Sequence, residues 1–195
     1  MLFRSPGETC PADVYSPDST LCPDIDGNPC TTAGCEAGSC VQTHIEVPCG
    51  GDGCTPGYWK ANADKKQANA WPPADPTALV STVFTLPTDC DGVDLNALWG
   101  GLTLREALSL RGGSGVKGAS QILLRIGMGA YLNAVNQCVQ YDAQYASGAA
   151  VVNAVNAALA SCDRGTMLSL AGELDFLNNA GCPLNQQGEC ANDPQ

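Results

Sequence analysis

The sequence predicts a mainly α fold, with a disulfide-stapled N-terminal module of loops and short β-structure followed by an all-α domain of five to six helices. Three observations predict it. Twelve cysteines stand in 195 residues: Cys10, Cys22, Cys30, Cys35, Cys40, Cys49, Cys54, Cys90, Cys138, Cys162, Cys182 and Cys190, an even set that can pair completely into six bridges. Their density falls sharply, with seven in the first 54 residues and five in the remaining 141. Beyond Cys54, apolar residues recur at helical spacing behind a series of N-cap residues.

Cysteine-rich chains belong to oxidising compartments, because cytosolic glutathione keeps thiols reduced. The predicted location is therefore secreted, extracellular or at the cell surface. Export implies that the numbering begins after a signal or inside a longer reading frame, since Met1 to Pro6 is far short of a signal peptide. No run of 18 apolar residues occurs, so no membrane span is predicted. The formal charge of −11, from 20 acids and 9 bases, argues against nucleic acid and anionic membrane surfaces. Apolar residues make up 44% of the chain, enough for a core, and charged residues 15%, too few for disorder by self-repulsion.

Seven and five are both odd, so full intrachain pairing needs a bridge across the cut or a boundary just before Cys54, which gives six and six. The second is preferred because Gly50-Gly51-Asp52-Gly53 makes a natural linker. The domains are then residues 1–53, residues 54–184, and a tail, 185–195, tied by Cys190.

Residues 1–53 hold six cysteines and six prolines and too few large apolar residues for a core of their own. Loops, turns and one short hairpin are expected, with each bridge contributing roughly 3 kcal/mol in the chain-entropy model. Asp24, Asp26 and Asn28 have the alternating oxygens that open a Ca²⁺ loop. An EF-hand then requires glycine at its sixth position and glutamate at its twelfth, where this chain has Pro29 and Cys35. A turn is the preferred reading, and calcium is left open. Asp89, Asp91 and Asp94 read likewise as a loop and a helix cap. Zinc on Cys30, Cys35, Cys40 and His44 is disfavoured, because zinc needs thiolates that an oxidising compartment would bridge.

In the second domain, Cys54 to Lys60 opens on a turn signal followed by two aromatic residues, read as a plug for a helical core. Asp75-Pro76 reads as an N-cap with proline at the first helical position, starting a helix to about Phe84. Asp94 caps a short helix through Trp99, and Thr103 with Glu106 forms a capping box for a helix ending near Leu110. The longest helix, from about Val116 to Asn136, has apolar residues almost all round and is central. Its Gly118, Gly127 and Gly129 mark close helix crossings, and Arg125 is expected to meet a carboxylate or backbone carbonyls.

Ser147 to Ser161 is a further helix, and Asp163 caps the last, which Gly181 stops in a left-handed conformation. If these last three helices run up, down and up, Cys138 and Cys182 finish at one end and Cys162 at the other, about 22 Å away. A bridge Cys138–Cys182 is expected and Cys138–Cys162 is not, since a disulfide spans about 7 Å or less between Cα atoms. The repeated tetrapeptide Asn133–Asn136 and Asn153–Asn156 is too short to establish a duplication.

Two stretches resemble known families. Asp26-Gly27-Asn28-Pro29-Cys30-Thr31, with Cys35, Gly38, Cys40 and His44, resembles the short cysteine-rich repeat of slime-mould extracellular matrix proteins. That resemblance implies a non-catalytic extracellular module. The Cys54-Thr55-Pro56-Gly57-Tyr58-Trp59-Lys60 opening resembles that of an uncharacterised domain of secreted and cell-surface bacterial proteins. The closing match is Leu174, Asp175, Asn178, Asn179, Gly181, Cys182, Pro183 and Leu184. This second resemblance implies no activity.

A catalytic constellation is not found. Ser/His/Asp or Cys/His chemistry would have to use His44, the only histidine, set among the cysteines of the first module. Residues 112–117 lack the phosphate-loop pattern and follow a helix instead of a strand. No pair of carboxylates stands out for glycoside hydrolysis. The sequence therefore predicts a non-enzymatic structural subunit without cofactors or metals, self-associating into a homopolymer through residues 1 to about 20. The alternative is a module binding a glycan or protein through loops 70–76 and 99–102, with Trp59, Trp71 and Trp99 preferred as core residues.

Overall fold

The computed structural model describes residues 31–36, 39–44, 51–63, 71 and 73–190. The chain divides into two units, residues 1–49 and residues 50–195. In the first, strands β1 (Thr31–Glu36) and β2 (Ser39–His44) form an antiparallel hairpin, in register with Thr31 opposite His44 and Cys35 opposite Cys40. The calcium reading at Asp24, Asp26 and Asn28, the docking segment 1 to about 20, and Cys10, Cys22, Cys30 and Cys49 lie outside the described residues.

Among the described residues, the second unit has six α-helices: α1 (Pro56–Asn62), α2 (Leu95–Trp99), α3 (Leu104–Ala107), α4 (Gly115–Val135), α5 (Gly148–Ala160) and α6 (Arg164–Asn178). Caps written in the local sequence start most of them. The side chains of Thr55, Asp94, Ser147 and Asp163 each accept a bond from the backbone N–H three residues on, satisfying a donor that the first turn leaves open. Thr103 and Glu106 form the reciprocal capping box, though α3 stops at Ala107, short of the expected Leu110.

The central helix α4 packs against both α5 and α6 and also touches α1 and α3. Leu123, Leu124, Met128 and Leu132 are buried along it. Each such side chain contributes about 1.5–3 kcal/mol on leaving water. Two of its glycines answer to crossing helices. A Cβ on Gly127 would stand 2.8 Å from Val155 of α5, and one on Gly129 would stand 3.0 Å from Pro56 of α1 and 3.2 Å from Asn178 of α6. Gly118 instead abuts the preceding loop, against Gly113.

Two expected helical features are corrected. Residues 76–84 do not form a helix: only the 3₁₀ turn Val80–Thr82 appears. Asp75 does cap a turn, accepting from the Thr77 N–H and hydroxyl. The following backbone then pairs with residues 100–105 instead of with itself: Val80 N–H bonds Leu102 O, Ser81 N–H bonds Gly100 O, and Ala78 O accepts from Leu104 N–H. β-branched Thr77, Val80, Thr82 and Val83 lower the helical alternative further. Gly181, at φ +129, is not the stop of α6, which ends at Asn178, but pairs with Gly53 in an isolated antiparallel bridge.

The α5–α6 turn is tight. Cys162 takes a left-handed φ of +52, which costs a non-glycine residue about 1–2 kcal/mol, and its bridge to Cys90 anchors it there. The Asp91-Gly92 turn between Cys90 and Val93 has φ of +53 and +81, the combination a two-residue hairpin turn of type I′ requires. Asp89 accepts from Gly92 N–H and Asp94 caps α2, so this acidic cluster is a turn and a cap, as expected.

Asp75, Glu106 and Asp163 are exposed capping carboxylates held below their ordinary range, first by backbone N–H bonds and then by hydroxyl bonds. A depressed folded-state pKa contributes stability that is fully present above the unfolded value of about 4 and is lost as pH falls through the folded value. The melting temperature is therefore expected to drop as pH is lowered from 5 to 2. Asp163→Asn, which keeps the acceptor but cannot titrate, should flatten that slope. An unchanged slope in the variant would show that this cap does not contribute.

Candidate functional site

Among the described residues, a buried polar network lies where the two ends of the second unit meet. Gly53 N–H bonds Gly181 O at 2.8 Å and sits directly on the backbone of Leu177 and Asn178, where any Cβ would collide. Gln140 accepts from Asp52 N–H. This pairing sets Cys54 beside Cys182, and the two form a disulfide with Cα atoms 4.4 Å apart. Asp52 and Gly53, read from sequence as linker, are thus hydrogen-bonded within the second unit.

Below this bridge Asn133 of α4, fully buried, uses its whole amide. Its Oδ1 accepts from Cys54 N–H at 2.9 Å and from Trp59 Nε1 at 3.0 Å, while its Nδ2 donates to Cys54 O at 3.0 Å and to Asn178 Oδ1 at 2.8 Å. Asn178, also fully buried, accepts from the Tyr141 hydroxyl at 2.9 Å and donates to Ile126 O at 3.0 Å. Tyr58 of α1 donates its hydroxyl to Asn185 O at 2.9 Å, beyond the closing motif. The opening motif at residues 54–60 and the closing motif at residues 174–184 are therefore one clasp, with α4 supplying the amide between them.

The clasp is chemically quiet. Burial pushes the Tyr141 hydroxyl well above the ordinary phenol range and raises that of Tyr58 as well. Near it, burial pushes Tyr145 up to about 12, helped by the bond its hydroxyl donates to Glu173 at 2.8 Å. All three phenols are poor proton donors or acceptors near neutrality, and the two amides do not titrate.

The remaining second-unit cysteines pair as Cys90–Cys162 and Cys138–Cys190, so the six close among themselves. The expected Cys138–Cys182 bridge is corrected. Cys138 and Cys182 do gather at one end with Cys54, but the Gly53–Gly181 pairing gives Cys182 to Cys54. The turn closed by the Leu184–Cys190 bridge brings Cys190 back to Cys138.

Trp59, Trp71 and Trp99 are core residues at 0%, 3% and 8% exposure. Their indole N–H groups bond Asn133 Oδ1, Trp59 O and Ser120 Oγ. None of these rings offers a face for stacking a sugar. Arg125 departs from expectation: its Nε is enclosed without a hydrogen-bond partner. The two Asn-Ala-Val-Asn copies differ in role, since Asn133 is the buried hub and Asn153 is exposed.

Two grooves flank the helices. One, of about 530 Å³, is lined by Thr85, Pro87, Asp89, Asn156, Ala157, Ala160 and Cys162. The other, of about 500 Å³, includes Lys60, Thr103, Arg105, Glu106 and Ser109, with the Glu106 carboxylate taken up by the capping box. Among the described residues no group of three or more His, Cys, Asp or Glu is arranged to hold a metal ion, and no helix is long and apolar enough to cross a membrane. No family model, curated protein or solved structure matches the chain.

Proposed function

We propose that this protein is a non-enzymatic structural subunit or module of an extracellular assembly, such as a surface filament, sheath or matrix, that self-associates into a homopolymer. The observation that carries this reading is where the sulfur and buried amide groups go. Cys54, Cys182, Asn133 and Asn178 are all bonded to one another or to backbone, cross-linking helices far apart in sequence. Three long-range disulfides suit an oxidising exterior. A unit braced in this way suits a load-bearing or exposed setting better than a site that must move.

Self-association is tested on the full chain by sedimentation velocity and negative-stain microscopy across a concentration series, with and without Ca²⁺. Growing oligomers are expected, and added salt should promote them by screening the −11 charge. A protein that stays monomeric at high concentration, in salt and in Ca²⁺, contradicts the reading.

A further inference from the structure

We infer that Cys35 and Cys40 form a cross-strand disulfide that staples the β1–β2 hairpin of the first unit. The register places them opposite each other, one pair in from Glu36 and Ser39, which two residues of chain connect. In a hairpin with a two-residue loop, the pair beside the loop exchanges both backbone hydrogen bonds. The next pair along is then of the non-hydrogen-bonded kind, whose Cα atoms lie about 4.5 Å apart. That separation is inside the range a disulfide accepts, and directly opposed residues share one face of the ladder.

The same backbone narrows the competing partners. The second unit's six cysteines pair among themselves, which leaves the first unit's six to one another. Cys30 is joined to Thr31, at the far end of β1 and opposite His44. Thr31 stands four residues, or about 13 Å, from Cys35. One further peptide step of about 3.8 Å cannot bring Cys30 within the roughly 7 Å that a bridge allows. Cys40 is at least as far from Thr31, being four residues from His44 on the opposite strand, so Cys30 cannot reach it either. That spacing of about 13 Å along β2 also exceeds the reach of Cys40 and His44 as joint ligands of one zinc ion.

The hairpin needs such a staple. Among the described residues β1 and β2 pair only with each other, and an isolated two-stranded ladder is marginal in water. Forming the bond takes two protons and two electrons from the two thiols. A disulfide donor of the oxidising exterior accepts them by exchange. One cysteine's thiolate attacks the donor, the other displaces it from the mixed disulfide, and the donor leaves as two thiols.

The test uses the full chain, denatured without reductant, treated with an alkylating agent and weighed intact. Wild type and the double variant Cys35→Ser with Cys40→Ser should both take up no label, and each single variant should take up one. Two labels on the double variant, from two separate partners set free, would overturn the pairing. Because a variant can misfold and shuffle its bridges, wild type is also mapped directly, and that map decides. Cuts after Asp26, Glu36 and Glu46 give peptides 27–36 and 37–46, and backbone fragmentation between Cys30 and Cys35 tells which of the two holds Cys40. Cys35 bonded to Cys40 is expected. Cys40 bonded instead to Cys10, Cys22, Cys30 or Cys49, or Cys35 and Cys40 both carrying label in wild type, contradicts the inference.

Discussion

Replacing Asn133 by alanine is expected to destabilise the second unit by about 4 kcal/mol. The variant strands the Cys54 N–H, the Cys54 carbonyl and the Trp59 indole N–H in a dry interior. An unsatisfied buried group costs about 1–3 kcal/mol, and the lost side chain leaves a small cavity as well. Against a typical total of 5–15 kcal/mol, that is a large fraction. Asn133→Asp sharpens the test because it is nearly the same shape. It keeps the acceptor for Cys54 and Trp59, but it loses the donor to Asn178 and sets a charge against the Asn178 Oδ1. It should therefore be at least as damaging as alanine at neutral pH. Denaturant unfolding followed by circular dichroism measures both. A loss below about 1 kcal/mol in each would mean that the amide does not brace the clasp.

Removing the bridges one pair at a time should give an ordered series, with the Cys54–Cys182 pair costing most. Its cysteines are 128 residues apart, against 72 for Cys90–Cys162 and 52 for Cys138–Cys190. The chain-entropy model assigns about 5 kcal/mol to the first and about 4 kcal/mol to each of the others. Local unfolding separates the last two. Without Cys138–Cys190, residues 184–190 can detach while the helices stay packed, so its measured cost should be smallest. Cysteine-to-alanine pairs compared by thermal unfolding supply the ranking. Combining the loss of Cys54–Cys182 with Asn133→Ala should cost less than the sum, because both act on Cys54. Strict additivity would separate the disulfide from the amide network.

The helical caps were legible in sequence because capping is local chemistry: Asp94, Thr103, Ser147 and Asp163 each bond three residues ahead, and α4 announces itself by its apolar run. The same grammar also misleads. Thr55-Pro56 and Asp75-Pro76 have equivalent cap-and-proline signals, yet the first, where the sequence predicts a turn, opens α1, and the second, where it predicts a helix, opens only a turn. The difference is non-local: Trp59 anchors α1 on Asn133, whereas residues 78–81 find their partners in 100–104. The Cys138–Cys182 expectation fails for a related reason. Helix lengths sort cysteines to one end of the bundle or the other, but they do not choose among those gathered at the same end. Asn133 was unreadable as a hub because an asparagine in a helix announces nothing about partners 45 and 79 residues away.

The central claim, that the two motif ends close into one clasp, is tested most directly by mass spectrometry of unreduced peptides. Cuts by trypsin and after Asp52, Asp142 and Glu189 separate Cys54, Cys138, Cys162, Cys182 and Cys190 onto different peptides. The account predicts linked peptides Cys54–Cys182, Cys90–Cys162 and Cys138–Cys190. Cys54 found free, or joined to a cysteine of residues 1–49, would contradict it.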